Sequence, residues 1–561
     1  MNDMVKRPQG RSYSDLQDHL SILEKNNLLN TIARSINKDT EVHPLVRWQF
    51  CGGIAEDERK GFLFTAVSDS KNRAYDRTQV AVGVLSANPQ IYALGMNCSI
   101  DQIGKAWIDA IANPVAPRVV DSAACQEIVL TGKDVSDPGK GLEALPIPVS
   151  TPGFDVAPYL TAGLWITRDP DTGVQNMGVY RGNLKAADRL CVMMEKATLA
   201  GGYVHWTKYR DRNEPMPFAV VLGAPPVVEF LGPQKLPIGV DELTVAGGLA
   251  KGPINVVKCR TVDLLVPAEA NVVIEGLIDT ETLEPEGPFG ESHGYMQIEE
   301  YNMIARVTAI TRRKDAIITS IISQVTPSES SVIKKLAYEP LFLEHLRDRL
   351  NIKSVKRVSL HEPWTNLRKF VFVTLERGAA KTEVWRALAG ASSLQPAIGK
   401  FCVAINEDVN PDNANHVLWA IAYRCNPVDD IQIVNYKSAG HAPRTAASPL
   451  ESIVLIDATL KVDFPPVALP KREYMENAKR LWAELGLPPL KPESPWFGYS
   501  LGEWNDDWDK RASLAAAGDW LLNGLDSAKR ARAMREPNVT VSDVLPDGPQ
   551  STRATDAKTN L

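Results

Sequence analysis

Glu286-Gly-Pro-Phe-Gly-Glu291-Ser-His-Gly-Tyr-Met296 is the stretch on which the reading of this chain turns. It sets two carboxylates five residues apart, on a loop whose shape Gly287, Pro288, Gly290 and Gly294 restrict. Glycine supplies backbone angles and close approaches that other residues cannot, proline fixes φ, and loops on a rigid scaffold carry much of protein chemistry. From composition alone the segment also reads as a glycine-rich turn entering a strand, with both glutamates solvated. Around it, from about 126 to 325, lie short β-branched runs broken by Pro and Gly. They include 218–222, 272–274 and a pair at 304–310 and 317–322 hinged near Lys314-Asp315. That texture predicts a barrel or mixed sheet.

The flanks have a different texture. Residues 1–125 predict a small α/β domain, with a helix from about Ser14 that aligns Leu16, Leu20, Leu23 and Leu28. A second helix opens at Ser99, where Gln102 completes a capping box and Ile103, Trp107 and Ile111 recur at helical spacing. Residues 326–500 predict a C-terminal α/β domain. It starts with a helix over 331–350, then strands at 371–375 and 401–405 alternate with helices at 383–388 and 414–422, as in crossover units of a parallel sheet. A helix over 471–485 stops at Gly486, and another is expected from 512 to 534, within a 501–536 segment suited to an oligomer contact. The polar residues 537–561 read as a disordered tail.

At 561 residues the chain calls for two or three domains. An apolar fraction of 44%, a charged fraction of 23% and a net charge of -6 describe a globular protein with no electrostatic case for nucleic acid or an anionic membrane. The N-terminus lacks the order of a secretory signal, and no apolar run approaches the roughly 20 residues of a spanning helix, so a cytoplasmic location is expected. Cys51, Cys98, Cys125, Cys191, Cys259, Cys402 and Cys425 are scattered, odd in number and without a CxxC pair. This argues against a disulfide framework or a structural zinc site.

Three more segments carry candidate chemistry. Thr161-Ala-Gly-Leu-Trp-Ile-Thr-Arg168, a turn at Asp169-Pro-Asp-Thr-Gly173, and Gln175-Asn-Met-Gly-Val-Tyr-Arg181 read as two strands and a polar turn. On an extended strand Asn176 and Arg181 point to opposite faces unless the strand twists or ends, and by itself the segment is an ordinary hairpin with a surface arginine. Leu236-Pro-Ile-Gly-Val-Asp-Glu242-Leu-Thr-Val-Ala-Gly-Gly-Leu249 reads as a polar turn capping a helix, where Glu242 need only favour the helix dipole. Ala397-Ile-Gly-Lys400-Phe-Cys-Val-Ala-Ile-Asn-Glu-Asp408 is a lysine leading into a buried strand, either solvated or suited to a phosphate.

In order, identity and separation these four segments resemble the UbiD family of reversible decarboxylases, which use prenylated FMN. The resemblance covers roughly residues 10 to 500 and rests above all on Asn-x-Gly-x-Tyr-Arg paired with Glu-Gly-Pro-Phe-Gly-Glu. It implies a mixed α+β fold whose central region, residues 126–325, is a flavin-binding split β-barrel. It implies that Arg181, Glu286 and Glu291 are catalytic, with Arg181 holding the substrate carboxylate, Glu291 returning the proton and Glu286 tuning both. Asn176 and Glu242 match positions that hold a divalent metal, usually Mn²⁺, next to the cofactor phosphate. Thr161, Val179, Tyr180 and Arg181 match flavin contacts, and Lys400 a phosphate contact. His205 is the nearest candidate for a further metal ligand, although its offset from Arg181 departs from the family pattern, and it reads equally as a packed histidine beside Trp206. A K⁺ site is implied without an assignable residue.

The chemistry implied is loss of CO₂ from a hydroxylated aromatic acid of the protocatechuate, gallate, 4-hydroxybenzoate or vanillate type, through a covalent adduct with prenylated FMN. Residues 230–237 and Trp496-Phe-Gly-Tyr-Ser-Leu-Gly-Glu-Trp504 look most like that branch. His293 is a candidate for bonding a ring hydroxyl, or else a loop histidine that holds the turn. A cinnamate-type acid, a prenylated hydroxybenzoate of quinone biosynthesis, and a non-catalytic flavin-binding subunit are the alternatives. The implied partners are a flavin prenyltransferase that supplies the cofactor and further copies of the chain, as a dimer or hexamer.

Overall fold

The β-branched runs at the centre of the chain form two long neighbouring strands, Val272–Glu286 and Glu300–Arg312. They pair antiparallel from Val272 opposite Arg312 to Glu286 opposite Glu300, which puts Glu286 on the last rung. The register shifts at Glu275/Gly276 and again at Ile278/Leu283. A Cβ on Gly276 would come within 1.9 Å of the Arg306 carbonyl oxygen, so the first irregularity requires glycine. This computed structural model describes residues 11–196, 199–237, 239–438, 450–461, 466–492, 498–500 and 505–530.

These strands belong to a nine-stranded sheet. Its order is Gln175–Val179, Leu164–Arg168, Met216–Leu222, Val272–Glu286, Glu300–Arg312, Arg189–Met193, Arg181–Ala186 and Tyr159–Leu160, with Ile128–Thr131 also paired to Glu300–Arg312. The topology forces curvature. In a flat sheet Gln175–Val179 and Arg181–Ala186 would stand roughly 29 Å apart, at about 4.8 Å per strand, yet Tyr180 alone joins them. The sheet therefore curls until its two ends meet at Tyr180, leaving a seam where no hydrogen-bonded ladder runs between them. This is the half-barrel expected for the centre of the chain.

The barrel interior packs around Trp165, Phe218, Val192, Ile274 and Ile310, with the Trp165 and Phe218 rings 5.3 Å apart. Trp165 also pins the seam from inside. Its indole N–H donates to the Tyr180 carbonyl at 2.9 Å, and a Cβ on Gly182 would meet its ring at 2.9 Å.

The N-terminal region has the expected helices. Leu16–Lys25 is capped by Asp15, whose Oδ1 accepts from Asp18 N at 2.9 Å, and it buries Leu16, Leu20 and Leu23. Ile103–Ala112 follows a 3₁₀ turn at Ile100–Gln102 that starts at the Ser99 cap. The neighbouring sheet runs Leu29–Ile32, Gly61–Phe64, Thr78–Val82, Ala316–Ser320. Its last strand corrects the reading of 304–310 and 317–322 as a pair. Every residue of Ala316–Ser320 is buried, and the strand lies parallel to Thr78–Val82 in a different sheet from Glu300–Arg312. A continuous apolar run fits such a strand, and periodicity alone does not name its partner.

The described residues among 11–373, 386–403 and 432–455 form one compact unit, and those among 374–385, 404–431 and 456–530 a second. A five-stranded sheet runs in the order Val355–Leu360, Phe370–Leu375, Phe401–Asn406, Leu450–Asp457, Ile431–Ser438. The expected helix over 331–350 is the α-helix Glu329–Glu344 followed by a π turn at His345–Arg349. The second unit contains Arg472–Glu484, which ends before Gly486 as expected. The helix expected over 512–534 is instead two, Asp506–Ala516 and Trp520–Lys529, broken at Gly518 with φ 88°. The 537–561 tail and most of the 496–504 motif lie outside the described residues.

Candidate active site

A cavity of about 360 Å³ opens along the seam, within the first unit. The chain enters it on Gln175–Val179, which pairs with Leu164–Arg168 across the turn that 169–173 predicts. At Tyr180 the ladder stops and the chain passes to Arg181–Ala186, so Asn176 and Arg181, on opposite faces of an ideal strand, both line the cavity. The break resolves the divergence that alternation demands.

One end of the cavity is acidic. Arg181 Nε donates to Glu286 Oε1 at 3.0 Å and Nη2 to Oε2 at 2.7 Å, a two-pronged pair, while Nη1 donates to Glu291 Oε1. Glu286 is fully buried and accepts a further bond from Asn302 Nδ2 at 3.2 Å. Burial would lower the Arg181 guanidinium, but Glu291 and Glu286 outweigh it and hold the group above its ordinary value. The Phe289 ring lies under Arg181 at 5.4 Å and against the Tyr159 ring at 4.3 Å. Burial, then Glu286, raises the Tyr159 hydroxyl.

Glu291 sits at the tip of a small hairpin, Phe289–Gly290 against Met296–Gln297. Its N–H donates to the Tyr295 carbonyl at 3.0 Å, its carbonyl accepts from Gly294 N at 3.0 Å, and Gly294 takes the left-handed φ of 95° that closes the turn. The segment is thus no solvated turn. Glu286 ends one strand, Glu291 follows the next, and both reach the same arginine.

The other end gathers Asn176, His205 and Glu242. Glu242 opens the helix Glu242–Ala250 behind an Asp241 cap, as the sequence predicts, but it is buried and accepts from Met177 N at 2.7 Å. Burial pushes its carboxyl up to about 8. His205 lies on Gly201–Asp211, with Nδ1 2.9 Å from the Thr167 hydroxyl, and Thr167 stands opposite Asn176 in the hairpin. Burial pushes His205 down to about 4, so the ring is neutral at pH 7. Tyr180 ties the end to the seam, its hydroxyl accepting from Gly202 N at 3.1 Å and Asn176 Nδ2 at 3.5 Å. Among the described residues no three His, Cys, Asp or Glu side chains cluster for a metal.

Of the other expected contacts, Thr161, Val179 and Tyr180 line the cavity. The Thr161 hydroxyl accepts from Ile321 N at 3.0 Å and lies 2.8 Å from the Ser320 hydroxyl. Lys400 and His293 are not brought in. Lys400 Nζ pairs with Glu451 at 3.0 Å, and His293 Nδ1 accepts from Tyr295 N at 3.2 Å outside the lining. The sequence reading missed Lys334 and Arg368, which do line it. A signal was present for the first: Ser330, Lys334 and Tyr338 are spaced four apart on the Glu329–Glu344 helix and all three face the cavity.

Two family models match the chain. One, described as the 3-octaprenyl-4-hydroxybenzoate carboxy-lyase Rift-related domain, spans residues 118–325, and the corresponding C-terminal domain spans 331–458. The chain belongs to the UbiD family. Among solved structures, this UbiD chain matches an evolved dimeric form of the UbiD-class enzyme HmfF from Pelotomaculum thermopropionicum in complex with prFMN, at 27% identity and a TM-score of 0.70, over 83% of this chain and 99% of that one. A vanillic acid decarboxylase from Sedimentibacter hydroxybenzoicus matches at 23% identity and TM-score 0.70, over 84% and 99%, a likeness of fold. The UbiD chain is a carboxy-lyase, and no helix among its described residues is long and apolar enough to cross a membrane.

A third buried carboxyl of the UbiD chain, Glu229, lines the cavity and accepts from Ala224 N at 2.8 Å. Burial pushes it up to about 8. Between roughly pH 4.5 and 8 the folded state therefore holds a proton that the unfolded chain releases, and this group's share of stability falls as pH rises through that window. Glu229→Gln is expected to remove that share. Its unfolding midpoint, equal to or below that of the unsubstituted protein at pH 5, should gain on it by a few degrees by pH 8. Parallel midpoints across the range would show that Glu229 does not titrate there.

Proposed function

We propose that the protein catalyses reversible, non-oxidative decarboxylation of a hydroxylated aromatic carboxylic acid, with prenylated FMN and a divalent cation bound along the seam. The observation that carries this reading is Arg181, held between Glu286 and Glu291 at one end of a cavity whose other end gathers Asn176, His205 and Glu242.

The donor sets fit the two groups. Asn176 and Glu242 offer oxygens and His205 a neutral imidazole, ligands suited to Mn²⁺. If Nδ1–H donates to Thr167, the Nε2 lone pair is left for a metal. The cavity falls within the usual size range for small-molecule sites and mixes apolar walls with a few polar groups. Gly201 makes the cation end possible. Its Cβ would sit 1.9 Å from Asn176 Oδ1. Gly201→Ala is therefore expected to weaken Mn²⁺ binding, titrated calorimetrically, by about tenfold or more. Unchanged affinity would remove Asn176 from the ligand set.

Prenylated FMN, when bound, supplies the electron sink that an aryl carbanion lacks. The protein's own part is positioning and proton transfer. Arg181 has five N–H donors; Glu286 takes two and Glu291 one, leaving two for the substrate carboxylate. Glu286, fully buried and bonded by Asn302, fixes the guanidinium plane and balances its charge. Glu291, at the turn that follows the Phe289–Gly290 strand, reaches the same arginine and returns a proton to the carbon that loses CO₂.

The test is CO₂ release from a panel of hydroxybenzoates and cinnamates, using protein co-expressed with or without a flavin prenyltransferase. Prenyltransferase-dependent turnover of phenolic acids is the expected result. Turnover of cinnamates alone would move the substrate to unsaturated acids, and none despite a verified modified flavin would refute the substrate class.

A further inference from the structure

Three cations line the cavity besides Arg181, and one of them, Lys235, has Glu195 of the same lining for an electrostatic partner. Lys334 stands on the cavity-facing row of the Glu329–Glu344 helix, and Arg368 precedes the Phe370–Leu375 strand. The Arg368 carbonyl accepts from Gly399 N at 2.7 Å, which anchors its loop next to the lining residues Gln395 and Ile398. Among the described residues neither side chain makes a hydrogen bond or ion pair. Lys335, its neighbour in sequence, does not line the cavity.

Lys334 stands within electrostatic reach of Glu291, and Arg368 within reach of Lys334 and Lys235. Burial, then Arg368, pushes Lys334 down to about 7, while Glu291 pulls it the other way. Lys334 thus feels both Arg368 and the Glu291 carboxylate. Two like charges brought together in a half-buried space repel each other, and an anion placed between them relieves the repulsion. Arg181 is committed to Glu286, Glu291 and the reacting carboxylate. Asn176, His205 and Glu242 are taken by the proposed divalent cation.

Resting on the decarboxylase reading above, we propose that Lys334 and Arg368 form a subsite for a second acidic oxygen on the substrate ring, a phenolate or a carboxylate, and so decide which aromatic acids the enzyme accepts. A ring with only the reacting carboxylate brings neither cation an acidic oxygen to bond. A ring with a second acidic oxygen gives each of them a charge-assisted hydrogen bond.

The test measures dissociation constants and CO₂ release for benzoate, 4-hydroxybenzoate, 3,4-dihydroxybenzoate and terephthalate on the flavin-loaded protein, its Lys334→Met and Arg368→Gln variants, and Lys334→Arg. The unsubstituted protein is expected to bind at least one second-oxygen acid about tenfold or more tighter than benzoate. Both charge-removing variants should lose that preference while their affinity for benzoate and their flavin content stay unchanged, and Lys334→Arg should keep it. A preference confined to the hydroxy acids assigns a phenolate, and one confined to terephthalate a carboxylate. Equal weakening of benzoate and the other acids, or no preference in the unsubstituted protein, overturns the subsite. Turnover without preference refutes the subsite alone. If no aromatic acid is bound or turned over by protein with verified flavin, the decarboxylase reading fails and the subsite with it.

Discussion

Replacing Glu291 with glutamine is expected to cut CO₂ release by about 10²- to 10⁴-fold, the usual share of a placed proton donor, while the flavin stays bound. Glutamine keeps the length of the side chain and an oxygen for Arg181 Nη1, so the hairpin 289–297 and the arginine keep their places. What it removes is the acidic proton. Flavin absorbance and CO₂ release on the same sample separate the two effects. A variant that retains flavin and turns over near the unsubstituted rate would take Glu291 out of the chemistry.

Removing Arg181 should have two large consequences at once. On the proposed mechanism Arg181→Met abolishes the grip on the substrate carboxylate, and it also takes two hydrogen bonds from Glu286, which is fully buried. Breaking one partner out of a buried ion pair costs about 3–5 kcal/mol, because the remaining charge has no water to turn to. Asn302, at 3.2 Å, compensates only in part. The unfolding midpoint of Arg181→Met should therefore fall clearly. The double variant Arg181→Met with Glu286→Gln should recover part of the loss without recovering activity. Equal midpoints for the single and double variants would show that the pair does not hold the barrel end together.

Much of this was legible in the sequence, and the limits of legibility have physical causes. The hairpin of 164–179 could be read from its turn residues, and the helix at Glu242 from its Asp241 cap, because caps and turns are local chemistry. The two glutamates of 286–291 were legible as a pair, but not as partners of one arginine more than a hundred residues earlier; that link came only through the family resemblance. Lys400 shows the converse. A lysine at a strand start suits a phosphate, yet Glu451 lies on a neighbouring strand and claims it. Lys334 was missed because its spacing from Ser330 and Tyr338 marks a shared helix face without saying what that face lines. The strand Ala316–Ser320 was visible as a strand and misassigned as to sheet, since burial on both sides erases the alternation that would point to a partner.

The single residue that bridges the curled sheet also sets a ruler. Asn176 and Arg181 are five peptide units apart, so the chain spans at most roughly 17 Å between the two ends of the cavity. Both are fastened to ladders on opposite sides of Tyr180, one to Leu164–Arg168 and the other to Tyr159–Leu160 and Arg189–Met193. Neither ladder can slide without inverting every side chain it presents. Gain or loss of one residue between them therefore has nowhere to be absorbed, and the reach from Asn176 to Arg181 is set by a fixed count of residues whose side chains can change but whose length cannot.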